Sequence, residues 1–92
     1  MAFSWDPAKA ANNLAKHGVG FELVLDFEWE AALVTADTRR NYGEVRLVAL
    51  GPILGRLHVL VFTVERRSVR IISLRKANNR EIDEHEQAFS EE

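Results

Sequence analysis

Ninety-two residues make one domain, expected to span 1–92, and leave no room for two. With 47% hydrophobic residues the chain can bury a core, so it does not fall in the disordered class. It has no cysteine, which removes disulfides, thiolate nucleophiles, thiolate zinc sites and iron–sulfur clusters, and no apolar run approaches the ~18 residues of a membrane span. The formal charge of −2 conceals a segregation, with −4 in residues 1–37, +8 in residues 38–80 and −6 in residues 81–92. Either the middle segment presents a basic surface or its charges intermix with the acidic flanks and cancel. The opening, with Trp5, Asp6 and Pro7, does not read as a signal peptide, and a cytoplasmic location is expected.

Phe3–Trp5 reads as a short edge strand. Asp6 then serves as an N-cap with Pro7 at the first helical position, where its missing N–H costs nothing, and Trp5 and Ala10 occupy the positions of a hydrophobic staple. This first helix runs to His17 and stops at Gly18, with Lys16 and His17 at the negative end of the dipole. Its apolar stripe is mostly alanine, so it packs closely on its neighbour. The spacing of Phe21, Val24 and Leu25 predicts a second, short helix over residues 20–27.

From there the composition turns to β. Ala32–Ala36, Val45–Ile53, Leu57–Glu65 and Ser68–Arg75 read as strands rich in Val, Ile and Leu, joined by tight turns at Leu54–Gly55 and Arg66–Arg67. Asn78 or Asn79 caps a last helix with Ile82, His85 and Phe89 on one face, and residues 88–92 are expected to fray. This order is α+β: N-terminal helices packed on an antiparallel sheet of about four strands, with a C-terminal helix. The turn lengths set an expected register in which Arg46, Thr63 and Arg70 form one row and His58 faces Arg75. That register puts the Arg46/Arg70 and His58/Arg75 sets on opposite faces, and a one-residue slip reverses a strand.

The histidines, His17, His58 and His85, have no ligand spacing, and no carboxylate pair stands beside them, so no metal site is expected. There is no glycine-rich phosphate loop, nucleophile elbow or glycosidase carboxylate pair. Residues 38–80 hold nine Arg against one Lys, a choice that suits bidentate phosphate contacts. A solvated basic rim paired with the acidic C-terminal helix accounts for Arg66 and Arg67 equally well. It accounts less well for Arg46, Arg70 and Arg75, which lie in or at the ends of apolar strands. His17 fits a helix C-terminal role and His85 a packing role. His58 interrupts a strand and can carry a proton near neutrality. Tyr42 can stack on a base or anchor its loop.

Three motifs in order, F-x-W-D-P-A-K with N-x-x-K-H-G-V-x-F-E, then R-R-x-Y-G-E-x-R, then R-I-I-S-x-R-K-A-N-x-R-E, resemble the BrnT toxin family over residues 3 to about 86. The chain departs from the family at Leu74, where alanine is usual, and at Glu28–Trp29, where D-P is common. The resemblance implies a RelE-like fold and a metal-independent ribonuclease, without cofactor, that halts translation. It also implies a BrnA-type antitoxin carrying a ribbon-helix-helix part, through which alone operator DNA is reached. On that reading Arg70 and Arg75, with Lys76 beside them, stabilise charge on the phosphate, Arg46 assists, and His58 is the candidate proton carrier. Arg39, Arg40, Tyr42 and Arg67 are then outer RNA contacts. The alternative is a non-catalytic nucleic-acid-binding module, or an inactive toxin, on the same fold.

Overall fold

A computed structural model describes residues 2–39 and 41–90. Along the chain, β1 (Ala2–Ser4) precedes α1 (Pro7–His17), 3₁₀ segments follow at Phe21–Asp26 and Trp29–Ala31, and β2 (Leu33–Ala36), β3 (Leu47–Ile53), β4 (Arg56–Val64), β5 (Ser68–Lys76) and α2 (Asn79–Ala88) complete it. The helix signals work as their chemistry requires. Asp6 Oδ1 accepts from the Ala8 N–H at 2.9 Å, and Gly18, at φ 71°, donates its N–H to the Leu14 carbonyl. Asn78 opens α2 with a full capping box, its side chain accepting from Glu81 N–H while Glu81 accepts from Asn78 N–H. The fraying expected from residue 88 overlaps the end of α2, and residues 91–92 lie outside those described. None of the helices described is long and apolar enough to cross a membrane.

The sheet corrects the expected one. It has five strands in the order β1-β5-β4-β3-β2, and it is mixed, because β1 runs parallel to β5 while the remaining pairs are antiparallel. Since α1 carries the chain back beneath the sheet and β2 starts at the far edge, the four-stranded meander returns to β1 with its last strand pointing the same way. Residues 20–27 also differ from the expected α-helix. In the 3₁₀ segment residues i and i+3 eclipse, so Phe21 and Val24 are buried while Leu25 is 73% exposed.

The β3–β4 register is the expected one, with Leu47 opposite Phe62 and Gly51 opposite His58. Leu54 and Gly55 form its turn, both with positive φ (50° and 82°), the backbone of a two-residue hairpin matched to strand twist. The β4–β5 pairing begins as expected, with Thr63 opposite Arg70 and Phe62 opposite Ile71, and then breaks at a bulge. Beyond it Val61 faces Ser73, Val59 faces Arg75 and His58 faces Lys76, so Ile72 is the extra residue. An extra residue reverses the facing of everything after it. Arg75 therefore lies on the same face as Arg70, and the expected His58–Arg75 row does not form.

One face of the sheet buries Ala49, Leu60, Phe62, Ile71 and Leu74 against Val19, Phe21, Val24 and Phe27. Trp29 sets its ring edge-on to Phe27 and Phe62, at 4.7 and 5.3 Å between centroids. The alanine-rich α1 approaches β5 closely enough for Asn13, which is buried, to bond its backbone directly. Asn13 Nδ2 donates to the carbonyls of Val19 (3.0 Å) and Leu74 (2.7 Å), and Oδ1 accepts from Leu74 N–H (3.2 Å). The other face carries a smaller cluster of Leu50, Val59 and Ala77, over which α2 lays Ile82. Since α2 covers only one end of that face, the remainder is left open as a cleft.

Candidate active site

The cleft, about 430 Å³, has a floor of Val48, Val59, Val61 and Ser73. Thr35, Asp37 and Arg39 make one wall, and Arg75, Arg80 and Glu81 make the other. Strand alternation explains the first wall: Thr35 lies opposite Val48 in the β2–β3 ladder, so Asp37, two residues on, projects to the same side. The second wall follows from the β5 bulge, which turns Arg75 toward the cleft, and from the capping box, which seats Glu81 on the first turn of α2.

Asp37 organises the first wall. Its side chain is 1% exposed, against 75% for Arg39, and it accepts Arg39 Nε and Nη2 in a two-pronged contact, both at 2.8 Å. Tyr42 donates its hydroxyl to the same carboxylate at 3.1 Å, and the Arg46 guanidinium lies over the Tyr42 ring, 3.9 Å from its centroid. The Arg39 contact, helped by the Arg39 N–H and the Tyr42 hydroxyl, holds the Asp37 carboxyl well below the usual carboxylate range against the opposing effect of burial. Arg39 is raised in turn, chiefly by Asp37. Tyr42 thus anchors its loop.

Arg75 is built the same way. Its Nη1 and Nη2 donate to Glu81 Oε1 and Oε2 at 2.9 and 2.8 Å, and Nη1 also reaches the Lys76 carbonyl at 3.2 Å. Glu81 is lowered, first by Arg75, and Arg75 is raised, first by Glu81, although Arg39 across the cleft opposes its charge. Arg80 pairs with Glu84 at 3.1 Å. The pairing with the acidic last helix therefore extends to Arg75, which the sequence had set apart from it. A two-pronged contact engages part of a guanidinium's five N–H donors, so both arginines are aimed and retain donors for an anion. Both carboxylates are held ionised and are weak bases.

The structure brings Arg39, Arg46, Tyr42 and Arg75 to this side of the sheet, and Arg70, opposite Thr63, shares the face. Arg70 has no ion-pair partner among the described residues. Lys76 and His58 form a row on the opposite face. Arg67 lies at the β4–β5 turn, beside a separate apolar slot with Trp29 and Phe62, and Arg40 lies outside the described residues. Sequence reasoning left Asp37 and Glu81 unassigned. Their signals were present, as D-x-R at two-residue spacing in an extended segment and as the N-x-x-E capping box. Among the described residues no three His, Asp or Glu converge as a metal site would require.

His58 is buried, and its Nδ1–H donates to the Arg56 carbonyl at 2.7 Å. Burial is the main cause that lowers its pKa from 6.5, with the charges of Arg56 and Lys76 adding to it and the Arg56 carbonyl opposing. The folded chain thus takes up this proton at lower pH than the unfolded chain, so protons favour unfolding. Stability is full above about pH 6.5 and falls as the pH drops beneath it, whereas Glu81 and Asp37 come into play only in the acid range. His58→Asn keeps a donor for the carbonyl and removes the titration. The loss of thermal stability between about pH 7.5 and about pH 5.5 is therefore expected to be smaller in this variant than in the parent, measured by thermal unfolding at both pH values.

The fold is α+β, and guanidinium forks set across an open cleft are of the chemical type that suits phosphate groups. The profile of the family described as "Ribonuclease toxin, BrnT, of type II toxin-antitoxin system" matches residues 5–81, and the chain belongs to that family. Membership makes it a ribonuclease toxin by class and implies an antitoxin partner. No curated protein matches the chain.

Proposed function

We propose that this chain is a metal-independent endoribonuclease of RelE-like fold that cleaves RNA by attack of a 2′-hydroxyl on the adjacent phosphate, with departure of the 5′-oxygen. The observation that carries this reading is the pair of facing guanidinium groups, Arg39 and Arg75, each held by a carboxylate across the 430 Å³ cleft. Negative charge that grows on the phosphate in the transition state meets donors already oriented, and such preorganised charge is where catalysis gains most. Arginine supplies this without a divalent ion. Arg70, on the same face, extends the phosphate track, and Arg46 holds the Tyr42 loop beside it. Asp37 and Glu81 act as positioning residues. His58 and Lys76 stand outside the cleft in this reading, as packing and surface residues. The toxin acts in the cytoplasm, inhibits translation, and is neutralised by a BrnA-type antitoxin, through which it reaches operator DNA.

The test is incubation of the purified chain with a defined single-stranded RNA in EDTA. Cleavage leaving cyclic-phosphate ends is the expected result, and its absence from a folded chain that binds RNA overturns the catalytic reading. One observation favours a second reading, a nucleic-acid-binding module without turnover: each arginine that lines the cleft already has a carboxylate partner. That reading predicts salt-sensitive RNA binding and intact RNA.

A further inference from the structure

A second cleft of about 430 Å³ adjoins the first and shares with it Ala36, Asp37 and Thr38. Its other lining is of a different kind, comprising Asn41, Tyr42, Glu44, Val45 and Arg46. The Arg46 guanidinium lies over the Tyr42 ring, 3.9 Å from its centroid, and Tyr42 is tied to the first cleft's wall by its hydrogen bond of 3.1 Å to Asp37. Beside it stands Glu44, whose Oε2 makes a long contact of 3.4 Å with Arg46 Nε. Asn41 uses its Oδ1 to accept from Gly43 N–H at 2.9 Å, which leaves its Nδ2 amide as a donor. A carboxylate opposes a phosphate, so the chemistry of this cleft differs from that of its neighbour. A planar cation on an aromatic ring, an ionised acceptor and an amide donor suit the face and edge of an unstacked nucleobase.

We infer that this second cleft is a base seat that selects guanine next to the scissile phosphate, with Glu44 as the specificity-determining residue; the inference rests on the ribonuclease reading above. An ionised carboxylate can only accept hydrogen bonds. Among the RNA bases guanine alone offers two adjacent donors, N1–H and N2–H, to its two oxygens. Guanine O6, next to N1, then takes the amide donor of Asn41. Uracil offers one ring N–H, while adenine and cytosine each offer one exocyclic amine and leave part of the carboxylate unmet. The shared wall places the base seat one step along the strand from the guanidinium pair, so recognition fixes which phosphate lies between Arg39 and Arg75.

The test uses short single-stranded uridine-rich RNAs that carry guanosine, inosine or adenosine at one position, cleaved by the purified chain in EDTA. Inosine keeps N1–H and O6 and lacks only the N2 amino group. Cleavage beside guanosine is expected to be about tenfold to a hundredfold faster than beside inosine, the range for a lost hydrogen bond to a charged group. In Glu44→Gln, whose site lies in an exposed loop, the guanosine-to-inosine ratio is expected to collapse toward one. Equal rates on the two RNAs in the parent, or an unchanged ratio in Glu44→Gln, overturn the base seat while the ribonuclease reading stands. If no RNA is cleaved, the catalytic reading fails and binding decides the seat. At least tenfold tighter binding of the guanosine RNA than the inosine RNA then upholds it, and equal affinities overturn it.

Discussion

Arg75→Ala is expected to lower the single-turnover rate of RNA cleavage by about a hundredfold to a thousandfold, the range seen when one preorganised donor to a developing negative charge is removed. The side chain is partly exposed, 36% by area, and is not part of either apolar cluster, so the variant keeps its fold. Its removal also frees Glu81, which then presents an uncompensated carboxylate to the phosphate and adds to the loss. Arg75→Lys restores the charge without the two-pronged geometry and is expected to recover only part of the rate. Rates measured in EDTA, with circular dichroism to verify folding, decide the matter. A rate for Arg75→Ala within about threefold of the parent would place the chemistry elsewhere.

The largest effect on stability is expected at Asn13. Replacement by leucine leaves the carbonyls of Val19 and Leu74 and the N–H of Leu74 without their partners in a buried site. A buried polar group stripped of its partner costs about 1–3 kcal/mol, so three such groups put the loss at roughly 3–5 kcal/mol after local relaxation. In a domain of this size that lowers the Tm by roughly 12–25 °C, which thermal unfolding reads directly. Asn13→Asp tests the assignment further, because it retains the acceptor for Leu74 N–H and loses both donations. Leu74 immediately precedes Arg75, so the clasp on its backbone also fixes the strand segment that aims the guanidinium. Cleavage by Asn13→Leu is accordingly expected to fall even at temperatures where the protein remains folded.

Much of the fold was legible because local chemistry specified it. The Asp6–Pro7 start, the Gly18 stop, the two hairpin turns and the Asn78 cap each depend on residues within one turn of themselves. The bulge at Ile72 was not legible: R-I-I-S-x-R alternates well enough as a regular strand, and only pairing with β4 and the hold of Asn13 on Leu74 show the extra residue. That single insertion removes the conflict in the expected site, since it brings Arg75 to the face of Arg70 and leaves His58 behind with Lys76. The parallel pairing of β1 was hidden for a related reason, being a contact between segments far apart in sequence, Ala2–Ser4 with Ser68–Arg70. Basic residues were easy to nominate by count. The carboxylates that aim them were not, because Asp37 and Glu81 lie in the acidic flanks, where neither stands out from the other acids.

Ala2, Phe3 and Ser4 find their partners in Ser68, Val69 and Arg70, so the first strand made must wait for the last. The β3–β4 and β4–β5 hairpins close short loops and can form early, whereas docking β1 closes a loop that spans most of the chain, at a higher entropic cost. Until β5 has left the ribosome, the sheet lacks both its edge and the strand that carries Arg70 and Arg75. The cleft, which needs Ser73 and Arg75 of β5 and Arg80 and Glu81 of α2, therefore comes into being only after both elements have been made.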